Sequence, residues 1–207
     1  KTPEILRRLY RAYDTAQPES VILSPSALNT YLDCRLRFYY RYVAGLKTPD
    51  EVSAEIDSAL FGTIFHLSAQ LAYTDLTANG KMIQREDLER LLRDEIKLQG
   101  YVDQAFKQEL FKVALEEKPE YNGVQLINSK VIVSYLKQLL RNDLQYTPFE
   151  MVAMEKKVSE KITIQTALGP LTLRLGGTIV RMDAKEGTLR IVDYKTGGSP
   201  KIPANIE

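Results

Sequence analysis

Apolar residues recur at spacings of three and four through the first two-thirds of the chain, then at every second position. The first grammar predicts helices, since a half-buried helix repeats its apolar stripe about every 3.6 residues. Residues 1–13 form a short amphipathic stretch, closed by the polar run Asp14 to Ser20 around Pro18. Ser24-Pro25 is an N-cap with proline in the first helical turn. Leu28, Tyr31, Leu32, Leu36, Tyr39 and Val43 then predict one helix, with Gly45-Leu46 as its C-terminal stop. A second helix is expected over 52–73, with Ile56, Leu60, Ile64, Leu67 and Leu71 inward. Three more are expected over 86–98, 102–117 and 129–145, separated by Gly100 and by Pro119 to Gly123. After Pro148 the alternation predicts strands. One opens at Met151, Ala153 and Glu155, a second holds Ile162 and Ile164, and a third follows Leu168-Gly169-Pro170 with Leu171, Leu173 and Leu175. A last pair, 177–183 and 188–195, flanks Lys185-Glu186-Gly187. Helices followed by a strand meander predict an α+β fold rather than a doubly wound sheet.

Composition narrows the chemistry. Apolar residues are 44% and charged residues 27%, ordinary globular usage. A net charge of +1 means that any nucleic-acid partner must meet a local basic stripe. The best candidate lies between Tyr31 and Lys47, where Arg35, Arg37, Arg41 and Lys47 face a single acid, Asp33. Tyr31, Phe38, Tyr39, Tyr40 and Tyr42 interleave with them, and bases with aromatics suit phosphates and unpaired nucleobases. The same residues also read as a solvated helix face, with Tyr31 and Tyr39 inward and Asp33–Arg37 as an i, i+4 pair. One cysteine, Cys34, excludes an internal disulfide, a multi-cysteine zinc site and a four-cysteine iron–sulfur cluster. One histidine, His66, excludes a two-histidine zinc motif. No apolar run approaches the roughly 18 residues of a membrane span. The chain starts without Met and stops soon after a turn, so it reads as a piece of a longer protein, and its lone thiol suits a reducing, cytoplasmic setting.

The segment richest in chemistry is Gly176-Gly177-Thr178-Ile179-Val180-Arg181-Met182-Asp183 with its return strand Leu189 to Gly197. If Asp183 and Thr188 close a four-residue loop, Val180 lies opposite Ile191 and Thr178 opposite Asp193. Cross-strand partners share a face, so Val180, Asp193 and Lys195 point one way while Arg181 and Asp183 point the other. A carboxylate and a lysine two apart can serve metal-assisted phosphodiester hydrolysis. The carboxylate holds a cation that lowers the pKa of a bound water, and the ammonium orients the nucleophile or offsets transition-state charge. A lone Asp-x-Lys is more often a strand-end salt bridge.

His66 stands off the apolar stripe of its helix, and Gly62 lies one turn before it. A glycine inside a helix costs up to about 1 kcal/mol against alanine, which predicts close approach of something to that surface. By itself, a helical histidine is more often packed or solvated than a metal ligand.

Taken together, these pieces resemble the RecB-like branch of the PD-(D/E)XK nuclease superfamily, as in AddB and RecB nuclease domains. Leu23 to Cys34, followed by Arg37-Phe38-Tyr39-Tyr40-Arg41-Tyr42, is similar to the family's opening helix. Gly62-Thr63-Ile64-Phe65-His66 is similar to its histidine motif, and Glu155 stands where members often carry a glutamate. Gly177 to Asp183 and Val192-Asp193-Tyr194-Lys195-Thr196-Gly197 resemble its two catalytic strands. The likeness spans residues 23–198. It implies one restriction-endonuclease-like domain over 1–207: a lead-in to residue 22, a helical segment over 23–147, the sheet over 148–198 and a truncated end over 199–207. It also implies a Mg²⁺- or Mn²⁺-dependent deoxyribonuclease, exo- or endonucleolytic, within a DNA repair or recombination protein. His66, Asp193 and the Tyr194 carbonyl would be metal ligands and Lys195 the catalytic lysine, with Asp193 also acting in catalysis. Arg35, Arg37, Tyr40 and Arg41 would contact DNA. Gly62, Glu155, Arg181 and Asp183 would support the site structurally. A helicase or nuclease subunit would be the natural partner, and no membrane is involved.

Three features depart from the family pattern. Val180 stands where Gly-x-Ile-Asp-Arg-x-Asp places the metal-bridging aspartate, which removes one oxygen ligand and one negative charge. That predicts weak or absent hydrolysis, or a nuclease fold kept for DNA binding or as a structural module. The chain also stops before the helix that usually completes the site with Gln and Tyr. Cys34 aligns with the first cysteine of a cluster whose other three are missing, so no iron–sulfur cluster is expected and the thiol reads as buried and inert.

Overall fold

A computed structural model describes residues 3–46, 56–114 and 120–197. The chain divides into two compact units, residues 1–51 with 156–179 and residues 52–155 with 180–207.

The first unit opens with α1 (Pro3–Tyr13) and α2 (Pro25–Asp33). Ser24 caps α2 as its sequence predicts: its backbone is extended and its hydroxyl accepts from the Ala27 N–H at 3.1 Å. The single helix expected as far as Val43 is interrupted. Cys34 takes an extended backbone, and its Sγ accepts from the Arg37 N–H at 3.5 Å to start α3 (Arg35–Phe38). Rather than being buried, this thiol is half-exposed and caps a helix. A π-helical turn follows over Tyr39–Val43. Gly45, at φ +70°, ends it in the left-handed region while the Leu46 N–H donates to the Tyr40 carbonyl at 2.9 Å. The break rotates the apolar stripe. Phe38 turns inward against the rings of Tyr13, Tyr31 and Tyr42, and Leu28, Leu32 and Leu36 are left exposed. Leu171 and Leu173 complete this small core, and Leu23 bridges Leu175 in parallel.

The larger unit carries α4 (Ser58–Leu76), α5 (Arg85–Arg93), α6 (Glu95–Phe106) and α7 (Gly123–Leu144). Residues 52–55 of the second expected helix and 115–119 around Pro119 lie outside the described residues. Asp57 caps α4 by accepting from the Leu60 N–H at 2.7 Å. The predicted break at Gly100 falls instead at Asp94, whose carboxylate caps α6 at Lys97 N–H, 2.9 Å away. Asp is a strong cap, whereas a helix tolerates an interior glycine at modest cost. α6 runs into a second π-helical turn, Lys107–Phe111, stopped by Lys112 at φ +55°. Asn122 and Gln125 form a capping box that starts α7 ahead of the expected residue 129.

The sheet has four strands in the order β1-β2-β3-β4, where β1 is Met82–Ile83, β2 Phe149–Thr166, β3 Gly169–Lys185 and β4 Thr188–Val192. With the helices it makes the expected α+β, restriction-endonuclease-like fold. Strands β2 and β3 are each continuous where alternation predicts two pieces, and β1, pairing antiparallel with Phe149 and Glu150, was not foreseen. The final hairpin is tighter than expected. Lys185 pairs with Thr188 across a two-residue turn, Glu186 and Gly187, at φ +51° and +79°. Positive φ at both positions is the type I′ geometry that matches strand twist. Met182 therefore lies opposite Ile191, where Val180 was expected. The slip is two residues, so face parity survives: Arg181 and Asp183 are fully buried while Ile191 is exposed.

Candidate active site

Within the larger unit, α4 buries Ile64, Phe65, Ser68, Ala69, Ala72 and Tyr73, which leaves His66 half-exposed at the edge of the packed face. The apolar stripe read from the sequence was thus rotated from the buried one. Gly62 explains itself: a Cβ there would stand 3.2 Å from Thr196 Oγ1, so the chain after β4 passes directly over this turn of α4.

That chain segment, Asp193 to Thr196, leaves the β-ladder but keeps its alternation: Asp193 and Lys195 are exposed and Tyr194 is buried. The Tyr194 ring packs edge-on against Phe65 and His66. Its carbonyl oxygen lies 2.9 Å from His66 Nε2. A carbonyl only accepts, so Nε2 carries the hydrogen in this arrangement. Nδ1 faces Glu155 Oε1 at 3.9 Å, an ion pair only when the ring bears both protons. Glu155 reaches this position from a left-handed backbone, φ +45°, in the middle of β2. Such a kink re-aims a side chain that a regular strand would have pointed elsewhere. Lys195 Nζ lies 2.5 Å from Asp193 Oδ2, and both side chains are largely exposed. Gly62, His66, Glu109, Glu155, Tyr194 and Lys195 line one cavity of about 960 Å³. Glu109, on the second π-helical turn, gave no sequence signal beyond its place in a charge-rich helix.

Val180 is half-buried and packs against the core. Arg181 and Asp183 do not line the cavity. They enter a buried charge cluster with Asp143 of α7 and Arg190 of β4. Arg181 Nε donates to Asp183 Oδ2 at 2.8 Å, and its Nη1 donates to Asp143 Oδ2. Its Nη2 is 2.7 Å from Asp183 Oδ2 but off the hydrogen-bonding direction, so it adds attraction alone. Arg190 reaches Asp183 Oδ1 at 2.8 Å and Asp143 Oδ1 at 3.2 Å. Tyr73 donates to Asp143 Oδ2. Burial opposes the Arg181 charge, but Tyr73 and Asp143 outweigh it and hold the guanidinium protonated above its ordinary range. Burial, then Asp143, raises the Tyr73 hydroxyl. Of these residues the sequence flagged only Arg181 and Asp183. A readable sign of Asp143 is its place on the stripe Ile132, Leu136, Leu140, Asp143.

The proposed DNA-contacting side chains lie in the smaller unit. Arg35, Arg37, Tyr40 and Arg41 are all exposed. Arg35 stacks over Tyr31 at 5.6 Å, Arg41 over Tyr42 at 5.5 Å, and Arg37 pairs with Asp33 at 3.3 Å. Lys47 is outside the described residues.

An antiparallel sheet flanked by helices carries an imidazole, a peptide carbonyl and a lysine at one cavity, with Asp193 paired to that lysine. The chain belongs to the PD-(D/E)XK nuclease superfamily, whose profile matches residues 22–206. Comparison with curated proteins and with solved structures returns no match. Superfamily members hydrolyse phosphodiester bonds with divalent metals, and DNA is the substrate the family implies.

The donors here fit such a metal incompletely. Imidazole nitrogen, carbonyl oxygen and carboxylate are suitable chemistry for Mg²⁺ or Mn²⁺. Among the described residues, however, no three His, Cys, Asp or Glu side chains gather closely enough to hold an ion. Asp193 is engaged by Lys195, and Val180 contributes no oxygen. No described helix is long and apolar enough to cross a membrane.

Proposed function

We propose that this chain is a RecB/AddB-type nuclease domain of a DNA repair or recombination protein, with its hydrolytic power curtailed by Val180. The observation that carries the reading is the convergence of His66 Nε2 and the Tyr194 carbonyl, 2.9 Å apart, beside Lys195. When bound, Mg²⁺ or Mn²⁺ would polarise the scissile phosphate and acidify a water. The chain's own residues do the rest. His66 shifts its hydrogen to Nδ1, toward Glu155, and turns the Nε2 lone pair to the site. Asp193 separates from Lys195 to face the same point, and the freed ammonium orients the nucleophile or offsets charge on the phosphate. Imidazole among the donors makes Mn²⁺ competitive with Mg²⁺. Arg35, Arg37, Arg41 and Tyr40 bind DNA, and the protein partner is the rest of a longer chain or a helicase or nuclease subunit.

A second reading rests on Val180 itself: the position where the family pattern has an aspartate holds an isopropyl group packed against the core, which suits a domain that binds DNA without cutting it. Mn²⁺-dependent cleavage of single- and double-stranded DNA separates the two. Little or no cleavage is expected from the chain, a clear gain from Val180→Asp, and loss again when Lys195→Ala is added. A Val180→Asp protein that binds Mn²⁺ yet never cuts overturns the nuclease reading in favour of the second.

A further inference from the structure

We infer that the buried cluster Asp143–Arg181–Asp183–Arg190 is a positioning device for the site, acting through the two ends of Tyr194. The inference rests on reading His66 and Asp193–Lys195 as the reactive end of the unit.

Tyr194 faces two ways. Its carbonyl meets His66 Nε2 at 2.9 Å, and its hydroxyl lies 3.4 Å from Arg181 Nη1. The residue is 6% exposed, so its ring has little freedom to turn. Where the ring goes, the carbonyl and the flanking Asp193 and Lys195 follow, because all three belong to one short segment that no ladder hydrogen bonds hold.

Arg181 is in turn fixed from several sides. It is fully buried, with its guanidinium over Tyr73 at 4.5 Å and Phe149 at 5.0 Å. Asp143 and Asp183 accept from it, and Arg190, stacked on Tyr146 at 3.7 Å, braces both carboxylates. Two guanidinium groups and two carboxylates balance, so the cluster buries charge without a net excess. Each member is over-determined by the others, which is what locating a neighbour to a fraction of an ångström requires. An apolar core would fill the same volume with less directional restraint on the Tyr194 hydroxyl. None of the four touches His66; they are positioning residues.

The lone histidine makes the test direct, because its ring gives a single set of nitrogen signals. Tyr194→Phe removes the hydroxyl and keeps the ring. Arg190→Lys disturbs the cluster without contacting Tyr194. Leu91→Ala, a buried residue of α5, is the control for lost stability alone. With ¹⁵N-labelled histidine, both cluster variants are expected to shift or broaden the His66 Nε2–H signal while circular dichroism stays native. Calorimetry is expected to show Mn²⁺ binding weakened about tenfold, the low end for residues behind metal ligands. Leu91→Ala should lower Tm and leave the His66 signal in place. The inference is overturned if Tyr194→Phe leaves that signal unmoved, or if Leu91→Ala moves it as far. The nitrogen signal needs neither metal nor DNA, so a Val180→Asp protein that never cuts would sink the nuclease reading and leave this one decided separately.

Discussion

Glu155 holds φ +45° inside a strand, a conformation that costs a residue with a Cβ about 1–2 kcal/mol. That strain persists at the carboxylate nearest His66 Nδ1. Glu155→Gly is therefore expected to raise Tm while altering the His66 ring signal, a gain in stability bought with a loss in the site. Gly176 is the opposite case: a Cβ there would lie 2.1 Å from the Val158 carbonyl oxygen, too close for the backbone to yield. Gly176→Ala should cost about 2–4 kcal/mol in urea unfolding. At this scale the sequence spoke clearly where chemistry is local. Asp193 and Lys195 are two apart, and Gly62 predicted a close approach that Thr196 makes. It was silent on Glu109, Tyr73 and Arg190, because their roles depend on which helices and strands meet, a long-range outcome that no spacing encodes.

Among elements, α4 and α6 are tied by Lys97, whose ammonium is 2.6 Å from Asp75, and by Tyr101, whose hydroxyl donates to Asp75 at 2.7 Å. Lys97, with Tyr101, holds the Asp75 carboxyl below its usual range. The lowered value means that the link contributes fully above the unfolded carboxylate pKa, near 4, and is lost as pH falls through the folded one. Lys97→Ala is expected to cost under about 1 kcal/mol at pH 7, since the pair is half-exposed, and nearly nothing at pH 2. Urea midpoints at the two values check it. The start of α2 was legible from its cap Ser24, whereas the caps Asp94 and Asn122, set within polar runs, did not stand out as the starts of α6 and α7. Strand limits were not: β2 and β3 read as broken because their exposed stretches carry lysines, glycines and threonines that dilute alternation without ending the hydrogen-bonded ladder.

For the molecule as a whole, the net charge of +1 conceals two populations of ion pairs. Arg8–Glu4 and Arg85–Glu89 lie on exposed helix faces, while Arg181, Asp183 and Asp143 are sealed inside. Removing one member of the sealed group strands the others. Asp183→Asn is expected to cost about 3–5 kcal/mol with little dependence on salt, whereas Arg8→Ala should leave stability nearly unchanged. Denaturation at low and high ionic strength distinguishes the two. The fold class followed from the order of periodicities, helical and then alternating. The division of the chain into two units did not, since each unit is assembled from sequence-distant pieces.

The exposed contact between Lys195 and Asp193 gives the resting site a tenant of its own. The ammonium already neutralises the carboxylate, so an arriving divalent ion must evict a tethered competitor before it can lodge. Lys195→Ala should then part affinity from turnover: tighter Mn²⁺ binding by calorimetry, and no cleavage even beside Val180→Asp. The same amine would act first as gatekeeper and only afterwards as reagent.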